Sequence, residues 1–65
     1  MTEEYWTAVA MRERGGSFVR KLGELFAMAD DSNREIIKQS WPEYWSEYRK
    51  IGAILKAADD AKEQA

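Results

Sequence analysis

Three interruptions divide this chain into short pieces. They are the doublet Gly15-Gly16, the polar run Asp30-Asp31-Ser32-Asn33, and Pro42 directly after Trp41. Glycine pairs and clustered Asp, Ser and Asn punctuate regular structure, and a proline drives its predecessor out of the helical region while suiting the first position of a new helix. An isolated helix below about 12–15 residues is marginal in water, so the pieces must support one another. Each carries apolar residues at steps of three and four, and none alternates as a strand would. The prediction is an all-α fold: a compact bundle of three to four short helices in a single domain over residues 1–65, with 59–65 a frayed tail.

The first piece, Thr2 to about Arg14, has an expected N-cap in Thr2, with Glu3 and Glu4 early and Arg12 and Arg14 late, as the helix dipole favours. The second, Ser17 to Ala29, carries the clearest core stripe, Phe18, Val19, Leu22, Leu25, Phe26 and Ala29. At roughly 100° per residue, the stripe centred on Leu22 continues back through Gly15, Met11 and Ala8, whereas Tyr5, Trp6 and Val9 lie on a different face. Two adjacent glycines also cost about 2 kcal/mol against alanine within a helix. A break is therefore predicted at Gly15-Gly16, with a glycine stop and Ser17 as a fresh N-cap. The alternative is a continuous helix whose small face, Ala8, Gly15, Gly16 and Gly23, lets a partner helix or ring approach the backbone. Ser32 and Glu35 have the spacing of a capping box opening a third helix, which carries Ile36 and Ile37 and stops near Ser40 or Trp41. The fourth runs from Pro42 to about Asp60, with Trp41, Tyr44, Trp45, Tyr48, Ile51, Gly52, Leu55 and Ala58 along one face.

With neither cysteine nor histidine, the chain has no disulfides, no thiolate metal site and no ordinary neutral-pH acid or base. Its carboxylates, including Asp30-Asp31, Asp59-Asp60, Glu43 and Glu47, have no obvious catalytic companion and read as caps and solvated faces. No catalytic residue, metal or cofactor is expected. A net charge of −2 and a pI near 5.0 give no field that attracts nucleic acid or an anionic membrane. The basic residues are interleaved with Glu, which argues against reading the helices before Pro42 as a helix-turn-helix. No apolar run approaches a membrane span or a signal sequence, and MTEEYW lacks a basic start, so a cytoplasmic protein is expected. Three Trp, three Tyr and two Phe exceed what so short a chain readily hides. Completion of the core by a second copy, in a homodimer or higher homo-oligomer, is predicted.

Two stretches carry candidate chemistry. In ERGGSFVR, Arg12, Arg14, Gly15, Gly16 and Ser17 surround an expected helix start, where free N–H groups, a hydroxyl and guanidinium groups suit a phosphate or carboxylate. In WPEYWSEY, Trp41 or Tyr44 could stack on a flat ligand, while Trp45 and Tyr48 read as a core seam against Phe18, Leu22 and Phe26. The seven residues Arg12, Arg14, Gly15, Gly16, Ser17, Trp41 and Tyr44 form the expected ligand site. Helix punctuation with solvated charges is the plainer alternative for the glycine stretch.

The order G-G-S-F-V, L-x-x-L-F, A-D-x-x-N, W-P-E-Y-W-x-x-Y, across residues 5 to 48, resembles small uncharacterised accessory proteins of tailed bacteriophages. The resemblance implies a non-enzymatic protein of the host cytoplasm that counters a host or defence function by stoichiometric binding. The expected form is sequestration of a small anionic, nucleotide-like ligand. A protein–protein inhibitor of a host enzyme or defence complex, acting through an aromatic surface, is the alternative, and a minor assembly or regulatory factor without ligand is a third.

Overall fold

The protein, seen in a computed structural model that describes residues 2–64, folds into four helices: α1 (Thr2–Arg14), α2 (Ser17–Met28), α3 (Asp31–Ser40) and α4 (Pro42–Gln64). The described residues contain no strand. None of the helices is long and apolar enough to cross a membrane. All three predicted interruptions are present, although the second is confined to Ala29-Asp30, since Asp31, Ser32 and Asn33 of the polar run already belong to α3. At its far end α4 continues past Asp60 to Gln64, with Lys56 Nζ 2.8 Å from Asp60 Oδ2 one turn on. Residues 59–64 of the expected tail are thus helical, while Ala65 and the Thr2 side chain expected as a cap lie outside what is described.

The helix ends differ from expectation in two places. Gly16, with φ −72° and ψ −172°, occupies the N-cap of α2 without any side-chain cap, and its carbonyl accepts from the Arg20 N–H at 2.8 Å. Ser17 is therefore the first helical residue and not the cap. Likewise the Ser32–Glu35 box does not open α3. Asp30 is the N-cap, its Oδ1 accepting from the Asn33 N–H at 2.9 Å, because its carboxylate already reaches the third residue of the helix. Between α3 and α4 a single residue serves both helices: the Trp41 N–H donates to Ile37 O at 3.0 Å, and Trp41 O accepts from the Trp45 N–H at 3.0 Å. Pro42, lacking an N–H, fits the first position of α4 without leaving a donor unpaired.

Packing centres on α1. Thr7, Ala8, Val9, Ala10 and Met11 are all buried, a run that no one-sided helix could bury. Thr7 satisfies its hydroxyl by donating to Glu3 O at 2.7 Å. A Cβ on Gly23 would meet Met11 Cβ at 2.7 Å and Ala8 O at 3.1 Å, so α2 lies against one side. A Cβ on Gly52 would meet Trp6 O at 2.7 Å and Thr7 N at 3.0 Å, so α4 lies against another. Because Val19 adjoins Gly15 and Gly23 adjoins Met11, α2 runs antiparallel to α1. The contacts Arg49–Glu3 and Gly52–Trp6 make α4 parallel to it. The two apolar faces of α1 fail to align for this reason: each serves a different neighbour. The glycine alternatives also prove compatible. The helix breaks at Gly15-Gly16, and Gly15 and Gly23 allow close approach, with no glycine at positive φ.

The core joins Met11, Val19, Leu22 and Phe26 to Ile37 and Tyr48. The expected α2 stripe is narrower than its spacing implied. Val19, Leu22 and Phe26 are buried, but Phe18 and Leu25 are half exposed, because α1 covers only one side of α2. Trp45 packs on Phe26 with ring centroids 4.8 Å apart.

Polar groups lock this arrangement. Arg34 donates through Nε to Phe26 O at 3.1 Å and through Nη2 to Ala27 O at 3.2 Å, pairing carbonyls at the α2 end, while its Nη1 reaches Glu4 at 3.2 Å. Lys38 Nζ lies 2.7 Å from the other Glu4 oxygen and 4.9 Å from the Trp45 ring. The hydrogen bond from Lys38 holds the Glu4 carboxyl below its ordinary 4.5, against partial burial and with help from both cations. The same bond raises Lys38 above 10.5.

Candidate functional site

The structure separates four of the seven expected site residues into two groups, and the other three, Gly15, Gly16 and Ser17, lie at the α1–α2 link and line neither. Arg12 and Arg14, on the last turn of α1, line a cleft of about 720 Å³ between α1 and α4. Trp41 and Tyr44 line a separate depression with Ser40, Pro42 and Glu43. Phe18 ties these two aromatics to the start of α2, with centroids 5.9 Å from Trp41 and 6.0 Å from Tyr44. Gly16 and Ser17 are exposed in the link and first turn, and Gly16 has open space around its Cα. Gly15 serves packing: a Cβ there would meet Met11 O at 2.5 Å and Val19 Cγ1 at 2.6 Å.

The α1/α4 cleft is built by the parallel pairing of the two helices. Leu55 and Ala58 of α4, with Val9 of α1, give it apolar walls, and Tyr5 and Trp6 stand at right angles, 5.2 Å apart between centroids. Arg12, Arg14 and Lys62 contribute three cations against the two carboxylates of Glu13 and Asp59. Among the described residues, none of these cations is within ion-pair distance of a carboxylate, a state they share with Arg20 and Lys50 outside the cleft, whereas Lys21, Arg34, Lys38, Arg49 and Lys56 are paired. Arg12 folds back so that Nε donates to Ala8 O at 3.3 Å, leaving its terminal nitrogens without a hydrogen-bond partner among the described residues. Cations on apolar and aromatic walls in a cleft of this size have the makings of a site for a small anion with a flat part.

Tyr5, Trp6, Leu55 and Lys62 were not among the sequence candidates. Tyr5 and Trp6 were visible as a separate apolar face of α1 and Leu55 as part of the α4 face, whereas the signal for Lys62 was the continuation of helical spacing through Ala58, Asp59 and Lys62 into the stretch expected to fray. The described residues include no group of three or more His, Cys, Asp or Glu able to hold a metal ion. No known protein family, curated protein or solved structure matches this chain.

Proposed function

We propose that the protein is a stoichiometric binder that sequesters a small anionic, nucleotide-like ligand in the α1/α4 cleft. The observation that carries this reading is the gathering in one cleft of three cations, Arg12, Arg14 and Lys62, that have no carboxylate partner among the described residues, beside the exposed ring of Tyr5 and the half-buried ring of Trp6. The cations match phosphate or carboxylate oxygens, and the rings match a planar base. With neither His nor Cys in the chain, the reading is of binding and not of turnover. In the setting implied by the resemblance to phage accessory proteins, such binding counters a host signal by mass action.

Titration calorimetry with inorganic phosphate and with mono-, di- and cyclic nucleotides tests this. Nucleotides should bind more tightly than phosphate, and binding should weaken as salt is raised. Arg14→Ala and Lys62→Ala should each weaken it by roughly tenfold, the loss of one charge-assisted contact. Trp41→Ala should leave it unchanged. No heat from any ligand with folded protein overturns the proposal. Sensitivity to Trp41→Ala but not to Lys62→Ala would instead return the site to the start of α2.

A further inference from the structure

The side of α2 turned away from α1 is the most apolar exposed surface of the protein. Phe18, Leu25 and Met28 are 54%, 50% and 80% exposed, and Ile36 and Trp41 continue the surface onto α3 and the link to α4. Leu25, Met28, Ile36 and Trp41 line one groove of about 620 Å³. On α2, positions 18, 21, 25 and 28 follow steps of three and four and form one ridge. α1 covers the opposite side of α2, and Phe18, Leu25 and Met28 stay half or more exposed, so among the described residues no element of the same copy covers this ridge.

We propose that a second copy of the chain covers it, with α2 packed antiparallel to α2 about a two-fold axis near Gly23. The ridge is complementary to itself in this arrangement. Phe18 of one copy meets Met28 of the other, bringing a thioether against the Phe18–Trp41 aromatic pair, a favourable contact. On α2 the charges beside the ridge, Lys21 and its neighbour Glu24, are of opposite sign, and the same axis sets each Lys21 beside Glu24 of the other copy, while Asp30 stands at the end of the groove. The exposed parts of the five apolar side chains amount to on the order of 500 Å² per copy, near the upper end of the largest patch on an ordinary monomer. Paired, they bury on the order of 1,000 Å², the lower bound for a specific interface. The α1/α4 cleft lies on other faces of the bundle, so this association does not depend on the ligand reading.

Sedimentation equilibrium at micromolar concentration should give a species of about twice 7.5 kDa. Met28→Glu, at a position too exposed to threaten the fold, should weaken association by roughly a hundredfold, because it buries a charge without a partner, while helical circular dichroism is retained. The charge variants test the register. Lys21→Glu and Glu24→Lys should each be monomeric alone and should associate when mixed, since only the mixed pair restores opposite charges at both contacts. A wild-type species of 7.5 kDa at 100-fold higher concentration overturns the proposal, as does a dimer indifferent to Met28→Glu. Failure of the mixed variants to associate overturns the antiparallel register.

Discussion

Gly23 of α2 faces Met11 of α1 so closely that a methyl carbon on the glycine would stand 2.7 Å from Met11 Cβ, closer than packed carbon atoms approach. Gly23→Ala gains about 1 kcal/mol of helix propensity but overpacks at a cost of roughly 1–3 kcal/mol, so a net loss is expected. Gly52→Ala should cost more, because its new methyl meets Trp6 and Thr7 backbone that no side-chain rotation can move aside. Gly16→Ala, with nothing within 4 Å, should meet no clash and lose only the preference of an N-cap for glycine over alanine, about 0.5 kcal/mol. Urea midpoints should fall in the order Gly16, Gly23, Gly52; equal midpoints would contradict the close helix contacts.

The caps give a second test, opposed to the sequence expectation. Ser17→Ala should be nearly silent, whereas Gly16→Asp should stabilise α2 by a few tenths of a kcal/mol by supplying the missing cap. Asp30→Ala should cost about 1 kcal/mol, and Ser32→Ala much less. Thermal melts of the four variants check these; a large loss from Ser17→Ala would restore that serine as the cap.

Neighbours in the α2 stripe should behave differently. Phe26 is 1% exposed and contacts Trp45 and Arg34, so Phe26→Ala should cost roughly 3–5 kcal/mol, enough to unfold most of a small domain. Leu25→Ala, at a half-exposed position, should cost less than about 1 kcal/mol in the monomer. Chemical denaturation in dilute protein, where self-association contributes least, makes the comparison.

The Glu4–Lys38–Arg34 network predicts a pH dependence at both ends of the range. Glu4 has a folded pKa below 4.5, so its contribution is complete above the unfolded value and fades as the pH falls below 4.5 and through the folded value. Lys38, raised above 10.5, contributes fully below that pH and loses its contribution as the pH rises through its folded value. Glu4→Gln should cost about 1 kcal/mol at pH 7, an amount typical of a partly exposed pair. The difference from wild type, followed by denaturant midpoint, should shrink in acid; a constant difference down to strongly acidic pH would show that the charge on Glu4 contributes nothing.

The helices and the breaks between them were legible because Gly15-Gly16, the Asp-rich turn and Pro42 act locally, through backbone freedom and missing donors, whereas nothing local marks the far end of α4 at Gln64. Ser17 and Ser32 were mistaken for caps for a related reason. Adjacent residues compete for one role, and only geometry shows that Gly16 and Asp30 come first. The face of α1 was hidden by its position between two partners, which erases a one-sided pattern. The α1/α4 cleft was hidden by distance along the chain: Arg12 and Arg14 were visible as cations, but nothing local ties them to Lys62. Phe18 and Leu25 share the spacing of core residues, and spacing alone does not tell a buried stripe from the edge beside it.

The position of α1 has a consequence for the order in which the chain can assemble. Its contacts with α2 close across a short link and can form as a local hairpin, but the Glu3–Arg49 contact with α4 spans 46 residues. During synthesis α1 must therefore wait, with Trp6 and Val9 open to water on the side that α4 later occupies. The late docking of α4 is the step at which a nascent chain is most exposed to wrong partners.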